Sequence, residues 1–187
     1  MRYHRSDVVE RALEVLDEFG LESMTMRRLG SELGVQPSAL YHHVANKQTL
    51  LALVADEILA RGRRERRAQA WDGRVVELCR ELRDAMLAYR DGAEVVATAW
   101  AFGLGAGGPA EELEEVLGDA GLPAELVHSA GRTLLHLVFG HTGEEQTALQ
   151  ASSAGAIDRT PVERDDFEVG LGLVLDGLRA RLSAASR

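Results

Sequence analysis

Residues 25–47 run Thr25-Met-Arg-Arg-Leu-Gly-Ser-Glu-Leu-Gly-Val-Gln-Pro-Ser-Ala-Leu-Tyr-His-His-Val-Ala-Asn-Lys47, and their punctuation is that of two short helices about a tight turn. Thr25 is a good N-cap, because its hydroxyl can accept from a backbone N–H of the first turn. Leu29 and Leu33 follow at helical spacing, and Gly34 supplies the left-handed conformation that closes a helix. Gln36-Pro37 opens the second helix, with proline at a first-turn position where its missing N–H is no loss. Leu40 and Val44 provide that helix with a buried side, and Asn46 caps the helix after it. Two short helices joined in this way have the layout of a helix-turn-helix.

The second helix, Pro37 to Val44, is expected to show Gln36, Ser38, Tyr41, His42 and His43 to solvent. These are donors, acceptors and flat rings with few charges, a set that can bond base edges and phosphates without burying an ion. Ser38 and Ala39 are small enough to let the helix sit deep in a groove, where the Ala39 methyl can meet a thymine methyl. Arg27 and Arg28 before the turn, and Lys47 after it, would flank the segment as phosphate clamps. Together with Thr25 and Pro37 at the two helix starts, these residues form the candidate DNA-binding set.

Outward from this stretch, helical periodicity continues and strand-like alternation is nearly absent. Val8, Val9, Ala12, Leu13, Leu16 and Phe19 recur at spacings of three to four, and Gly20 ends the run. After Asn46, Leu50, Leu51, Val54 and Ile58 mark a longer helix. The charged run Arg61 to Arg67 has no apolar anchor, so the domain boundary is drawn there: residues 1–62 as the DNA-binding domain and 68–187 as a second domain. Trp71 to Tyr89 reads as a helix with Val75, Leu78, Leu82 and Met86 as its stripe. Ala93 to Phe102 is a short apolar segment before the glycines of residues 103–108. Pro109 to Ala120 is a small acidic helix, and Pro123 starts a long one reaching about Leu149. Residues 150–164 read as an exposed, mobile loop, and a last helix runs from about Asp165 to Ala184 with Phe167, Leu171, Val174, Leu175, Leu178 and Leu182 on one side. The expected fold is all-α: a three-helix helix-turn-helix domain joined by a linking helix to a larger helical domain.

Charge is divided as unevenly as the motifs. The chain carries a formal net charge of -9, which alone would argue against nucleic acid. Residues 1–67 nevertheless sum to +1 and residues 68–187 to -10, so the acidity lies away from the helix-turn-helix. The single cysteine, Cys79, excludes a disulfide framework and a cysteine-based zinc site within one chain, and its place between Leu78 and Leu82 points to packing. No run reaches the ~18–20 apolar residues of a membrane span, and the N-terminus lacks the apolar core of a signal peptide. A cytoplasmic protein is expected.

The segment Leu40-Tyr41-x-His43-Val44-x-Asn46-Lys47, with Thr25-Met-Arg-Arg-Leu-Gly before it, resembles the DNA-binding signature of the TetR (tetracycline repressor) family over residues 6–60. The resemblance implies that Tyr41 and Lys47 hold the DNA backbone, that Pro37, Ser38, Ala39 and His43 lie at the base-reading end, and that Arg27 can reach guanine. It continues more weakly through Tyr89-Arg90-Asp91-Gly92-Ala93-Glu94-Val95 and through Phe167 to Leu178, which are similar to the tetracycline-type branch. In that branch the last two long helices pair with their copies in a second subunit, which implies a homodimer on two operator half-sites. Ala130, Leu134, Leu137 and Val138 offer one apolar seam and Leu171 to Leu178 another, with Gly170, Gly172 and Gly177 permitting close helix approach; packing within one chain could use the same seams. The branch also implies a repressor released by a small molecule. One departure stands out: Val96 occupies the position of the magnesium-binding histidine, and valine cannot ligate a metal. Although Glu144 lies where a partnering acid is expected, tetracycline is therefore not the expected inducer, and no cofactor or metal is expected.

An effector pocket lined by Met86, Tyr89, Trp100, Phe102, His136 and Phe139 would be mostly apolar with a few polar handles; each of these residues is also a plausible core residue. His141 with Glu144 or Glu145 has the spacing of a metal pair, but two ligands are a weak signal beside a solvated helix face. As for enzymes, Gly103 to Gly108 has the glycines of a phosphate loop without a preceding strand or a following Gly-Lys-Ser/Thr, and no nucleophile elbow or zinc-protease motif is present. No catalytic residues are expected. A helical interaction module or an activator would keep the same fold, since repression depends on where the operator lies.

Overall fold

The computed structural model describes residues 4–156 and 166–185, and every regular element among them is a helix. They form two compact units, Met1–Arg63 with Asp84–Ala106, and Arg64–Arg83 with Gly107–Arg187.

In the first unit, α1 (Arg5–Phe19) buries Val8, Val9, Ala12, Leu13, Val15 and Leu16 and ends at Gly20, whose φ of 78° stops the helix. A 3-10 turn, Leu21–Ser23, leads to α2 (Met26–Glu32), which begins where the Thr25 hydroxyl accepts from the Arg28 N–H at 3.1 Å. α3 (Pro37–Leu40) has Pro37 in its first turn. α4 (Lys47–Gly62) begins where the Asn46 carboxamide accepts from the Thr49 N–H at 2.8 Å. α6 (Gly92–Ala101) packs along α4, and α1 packs on both α2 and α4. Leu13, Leu16, Met24, Leu29, Leu40, Leu50 and Ile58 are almost wholly buried, each removal from water contributing about 1.5–3 kcal/mol before chain entropy is subtracted. Met24 lies outside any helical stripe, so periodicity did not single it out.

α5 (Trp71–Leu87) contributes Trp71–Arg83 to the second unit and Asp84–Leu87 to the first. The second unit also holds α7 (Gly108–Asp119), α8 (Ala124–Ser153) and α9 (Asp166–Ala185), with α8 packed against both α7 and α9. Its core is Val75, Leu78, Leu82, Leu113, Leu117, Leu134, Leu135, Val138, Phe167, Leu171 and Leu175. Cys79 is buried among these positions, and burial, with the Glu168 charge second, pushes its thiol up to about 12. It is a core residue and no thiolate nucleophile. The run from Arg64 to Ala68 is tied by polar groups: Glu81 accepts from the Arg64 N–H at 3.1 Å, and Glu77 accepts from the Arg67 and Ala68 N–H groups, each at 3.1 Å.

The two largest differences from the boundaries read in the sequence are at α8 and α3. α8 runs four residues past Leu149 to Ser153 and closes on Gly155, φ 67°. Of the loop expected over residues 150–164, the part from 157 onward lies outside the described residues. The second helix of the helix-turn-helix stops at Leu40 in regular form, and Tyr41–His43 tighten into turns. There the His43 and Val44 N–H groups both donate to the Leu40 carbonyl, at 2.9 and 3.0 Å. The expected helix to Val44 is thus present as a coil of continuous hydrogen bonds without full α geometry.

Candidate nucleic-acid interface

The turn between α2 and α3 is built on backbone contact. The Val35 N–H donates to the Gly30 carbonyl at 2.8 Å. A Cβ on Gly30 would stand 2.9 Å from the Val35 carbonyl oxygen and 3.2 Å from the Pro37 nitrogen, so only glycine lets the two segments approach this closely. Gly34, at φ 66°, supplies the left-handed step. Leu29, Leu33, Leu40 and Val44 are buried beneath, holding the turn from below.

Above that base, polar side chains are left without internal partners. Arg27, Gln36, Ser38, Tyr41 and His42 are exposed, Tyr41 by 50%, and His43 and Lys47 are partly exposed. None of these seven side chains makes a hydrogen bond or ion pair among the described residues. Pro37 and Ala39 lie between them, half-buried, and Thr25 is exposed but engaged as the α2 cap. Arg28 behaves differently from its neighbour. Its guanidinium stacks 3.5 Å over the Phe19 ring and reaches Glu32 at 3.6 Å, with Nε buried and unpartnered. A cation stacked on an aromatic face is held by packing as well as charge.

The head is tied to α6 at both ends of that helix. Asp91, just before α6 and at φ 55°, accepts from the Leu21 N–H at 2.7 Å, and Asp17 accepts from the Arg90 N–H at 3.1 Å. Beyond the other end, the Asp56 carboxylate of α4 accepts from the Ala106 N–H at 2.7 Å, with Ala106 at φ 59°. Left-handed backbone at Asp91 and Ala106 carries a cost of about 1–2 kcal/mol each, which these charge-assisted bonds offset. Sequence reasoning marked Asp91 only through resemblance, and nothing in the local pattern marked Asp56.

Two family models match the chain: "Bacterial regulatory proteins, tetR family" over residues 8–54 and "Tetracyclin repressor-like, C-terminal domain" over residues 65–165. This protein belongs to the TetR family of transcriptional regulators. The tetracycline repressor protein class A from transposon 1721 of Escherichia coli is 31% identical, across 93% of this chain and 89% of its own. The crystal structure of Mycobacterium smegmatis BioQ is 42% identical with a TM-score of 0.89, covering 96% of this chain and 99% of that one. A structure of BioQ with its natural double-stranded DNA operator is 40% identical with a TM-score of 0.81, covering 96% and 99% of the two chains.

The rest of this TetR-family chain places the remaining candidates. Met86 is fully buried, Tyr89 and Trp100 are half-buried, and Phe102 is 62% exposed, all in the first unit; His136 is exposed and Phe139 half-buried, both in the second. Tyr89 is one of three groups, after Glu57 and Glu10, that bond Arg61 and hold its guanidinium above the ordinary range. Val96 is completely buried and Glu144 exposed, and no group of three or more metal-ligating side chains is assembled among the described residues. His141 packs its ring edge-on against Phe167 at 6.1 Å, and Glu145 accepts two bonds from Arg83, at 2.8 and 2.9 Å. Among the described residues no helix is long and apolar enough to cross a membrane.

The two apolar seams are largely occupied within the chain. Leu134 and Val138 are fully buried, and Leu171, Leu175 and Leu178 nearly so. Gly170 faces inward, where an added Cβ would stand 3.2 Å from Leu137, whereas nothing lies within 4 Å of one on Gly172 or Gly177. The apolar groups left outside on these helices are Val169 and Leu173 on α9, 62% and 68% exposed, and Leu149 on α8 at 45%.

Proposed function

We propose that this regulator binds a palindromic operator as a homodimer and represses by occupying a promoter, with a small-molecule effector releasing it. The carrying observation is the set of unengaged donors and acceptors on and around α3, which fold without partners of their own and sit on a base of buried leucines. On this reading Tyr41 and Lys47 bind phosphates, and Arg27, Ser38, Ala39 and His43 face base edges, with Gln36, Pro37 and His42 alongside. Thr25 contributes through the α2 N-terminus it caps. Residues 1–62 form the reading domain and residues 68–187 the effector and dimerisation domain of a cytoplasmic protein without a catalytic role. The exposed pair Val169 and Leu173, four residues apart on α9 beside the open Gly172 and Gly177, supports pairing of α8 and α9 with their copies, as a two-fold interface requires.

The ties at Leu21–Asp91 and Asp56–Ala106 support a switch through α6. An effector that displaced α6 would carry α1 and α4 with it and change the spacing of the two reading heads. The effector can weaken DNA binding only through its differential affinity for the two spacings.

The test is a fluorescence-anisotropy titration, at fixed near-physiological salt, of DNA from immediately upstream of this protein's coding region, with unrelated DNA of equal length as competitor. Tight binding that survives competition is expected. Absence of any preferred sequence, in that DNA and in a random-sequence selection, would overturn the reading.

A further inference from the structure

In the second unit, between the Arg64–Ala70 segment, α5 and α7, lies a cavity of about 200 Å³. At the ~30 Å³ a water molecule occupies in the liquid, this space suits a solute of roughly seven non-hydrogen atoms. Leu78 and Val116, both buried, form an apolar floor. The walls are charged: Arg66 and Arg74 come from the segment and α5, and Glu112 and Glu115 stand one turn apart on α7.

These four charges are not equivalent. Arg66 donates to Glu81 at 2.7 and 3.1 Å and also pairs with Glu112, so both are satisfied within the protein. Arg74 forms an ion pair with Asp119 at 3.6 Å, too long for a hydrogen bond. Glu115 makes no hydrogen bond or ion pair among the described residues. The cavity therefore offers one cation held only by a loose ion pair and one anion without a protein partner among the described residues, above two aliphatic side chains. A solute carrying only an anion would meet Arg74 but be repelled by Glu115, and one carrying only a cation would meet the converse. An apolar solute would strip water from both groups without replacing its hydrogen bonds. A solute bearing both charges across a short aliphatic span satisfies all three surfaces.

We propose that this cavity binds a small zwitterion, an ammonium and a carboxylate joined by a few methylenes, and that its occupancy lowers affinity for DNA. This rests on the reading of the protein as a ligand-responsive regulator and assigns the chemical class of the ligand. None of the six residues of the apolar set named from the sequence lines the cavity.

The test is calorimetric titration of the full chain with the unbranched ω-amino acids from glycine to 6-aminohexanoate, with hexanoate and hexylamine as single-charge controls. One chain length is expected to bind saturably, at least about tenfold more tightly than either control. Arg74→Gln and Glu115→Gln should each weaken it about tenfold or more, the scale of a lost charged hydrogen bond. Glu111→Gln, on the same helix but away from the cavity, should leave binding unchanged, and thermal midpoints should show all three variants folded. No binding by any member of the series, equal binding by a control, or indifference to both cavity substitutions would overturn the proposal. The anisotropy assay runs in parallel with and without the best zwitterion. A wild-type protein without sequence-specific DNA binding marks failure of the regulator reading, whereas intact DNA binding unmoved by a bound zwitterion overturns this proposal alone.

Discussion

The helix-turn-helix of the first unit and the helices of the second use their cations in opposite ways. In the second, arginines are drawn onto carboxylates of other helices: Arg66 onto Glu81 and Glu112, Arg80 onto Glu168, Arg83 onto Glu145, and Arg179 onto Asp72. In the first, Arg27 and Lys47 stand beside the helix-turn-helix with no partner among the described residues. Internal ion pairs at half-exposed positions tie helices together but contribute little each. A cation left unpaired contributes nothing to the fold and remains available to a phosphate or a base. The same residue type thus holds structure where a carboxylate lies within reach, as Glu10 and Glu57 do for Arg61 in the first unit, and presents chemistry where none does.

Substitutions matched between the units test this division. The largest effect is expected from Leu40→Ala, which empties a fully buried position under the reading helix and should cost about 2–5 kcal/mol in chemical denaturation. Leu173→Ala, at a 68% exposed position, should leave the protomer's fold within about 0.5 kcal/mol and instead raise the dimer dissociation constant measured by sedimentation. Equal damage from both would erase the distinction between a buried base and an open face.

Glycines sharpen the comparison. Gly30→Ala drives a methyl against the Val35 carbonyl and should destabilise the first unit by about 1–3 kcal/mol, with DNA binding lost alongside. Gly118→Ala on α7 meets no atom within 4 Å and should be neutral or stabilising by up to about 1 kcal/mol. Thermal scans of the pair decide this; a stable, DNA-binding Gly30→Ala protein would show that the turn tolerates separation.

Within the head, Arg27→Ala should cost about 1–3 kcal/mol at one base position if the side chain pairs with guanine. Tyr41→Ala should weaken specific and random DNA alike, because a phosphate contact carries no sequence information. Anisotropy over a panel of single-base operator variants separates the two, and a uniform loss for Arg27→Ala would make it a backbone contact.

The smallest effect belongs to the second unit's ion pairs. The hydrogen bond from Arg179 holds Asp72 below its ordinary range, and that from Arg80 does the same for Glu168. Both carboxylates have depressed folded-state values. Their contribution is therefore full above the ordinary carboxylate range and is lost as pH falls through the lowered values. The thermal midpoint should thus decline below about pH 4, and Arg80→Ala should flatten that decline while changing neutral-pH stability by under about 1 kcal/mol. An unchanged acid limb would mean that the pair does not persist in solution.

What the sequence determined by itself was local. Thr25, Gly34, Pro37 and Asn46 act on backbone within three or four residues, so the helix-turn-helix and its exposed polar set were legible without a partner in view. The helical period acts over the same range, and the helices past residue 70 were found to within a few residues. Tertiary structure decided which surfaces and charges remain available. The seams on α8 and α9 suit a second subunit or packing within the chain equally, and the fold buries most of both internally, leaving Val169 and Leu173 exposed. Arg27 and Arg28 are neighbours of one type, yet Arg28 lies on Phe19 and Arg27 does not. Gly30 shows its necessity only beside Val35 and Pro37, and the cavity between Arg74 and Glu115 exists only once α5 and α7 are assembled. The physical reason is range. A cap or a turn is settled by neighbours in sequence, whereas Arg80 meets Glu168 across 88 residues and Arg179 meets Asp72 across 107, encounters that no local pattern encodes.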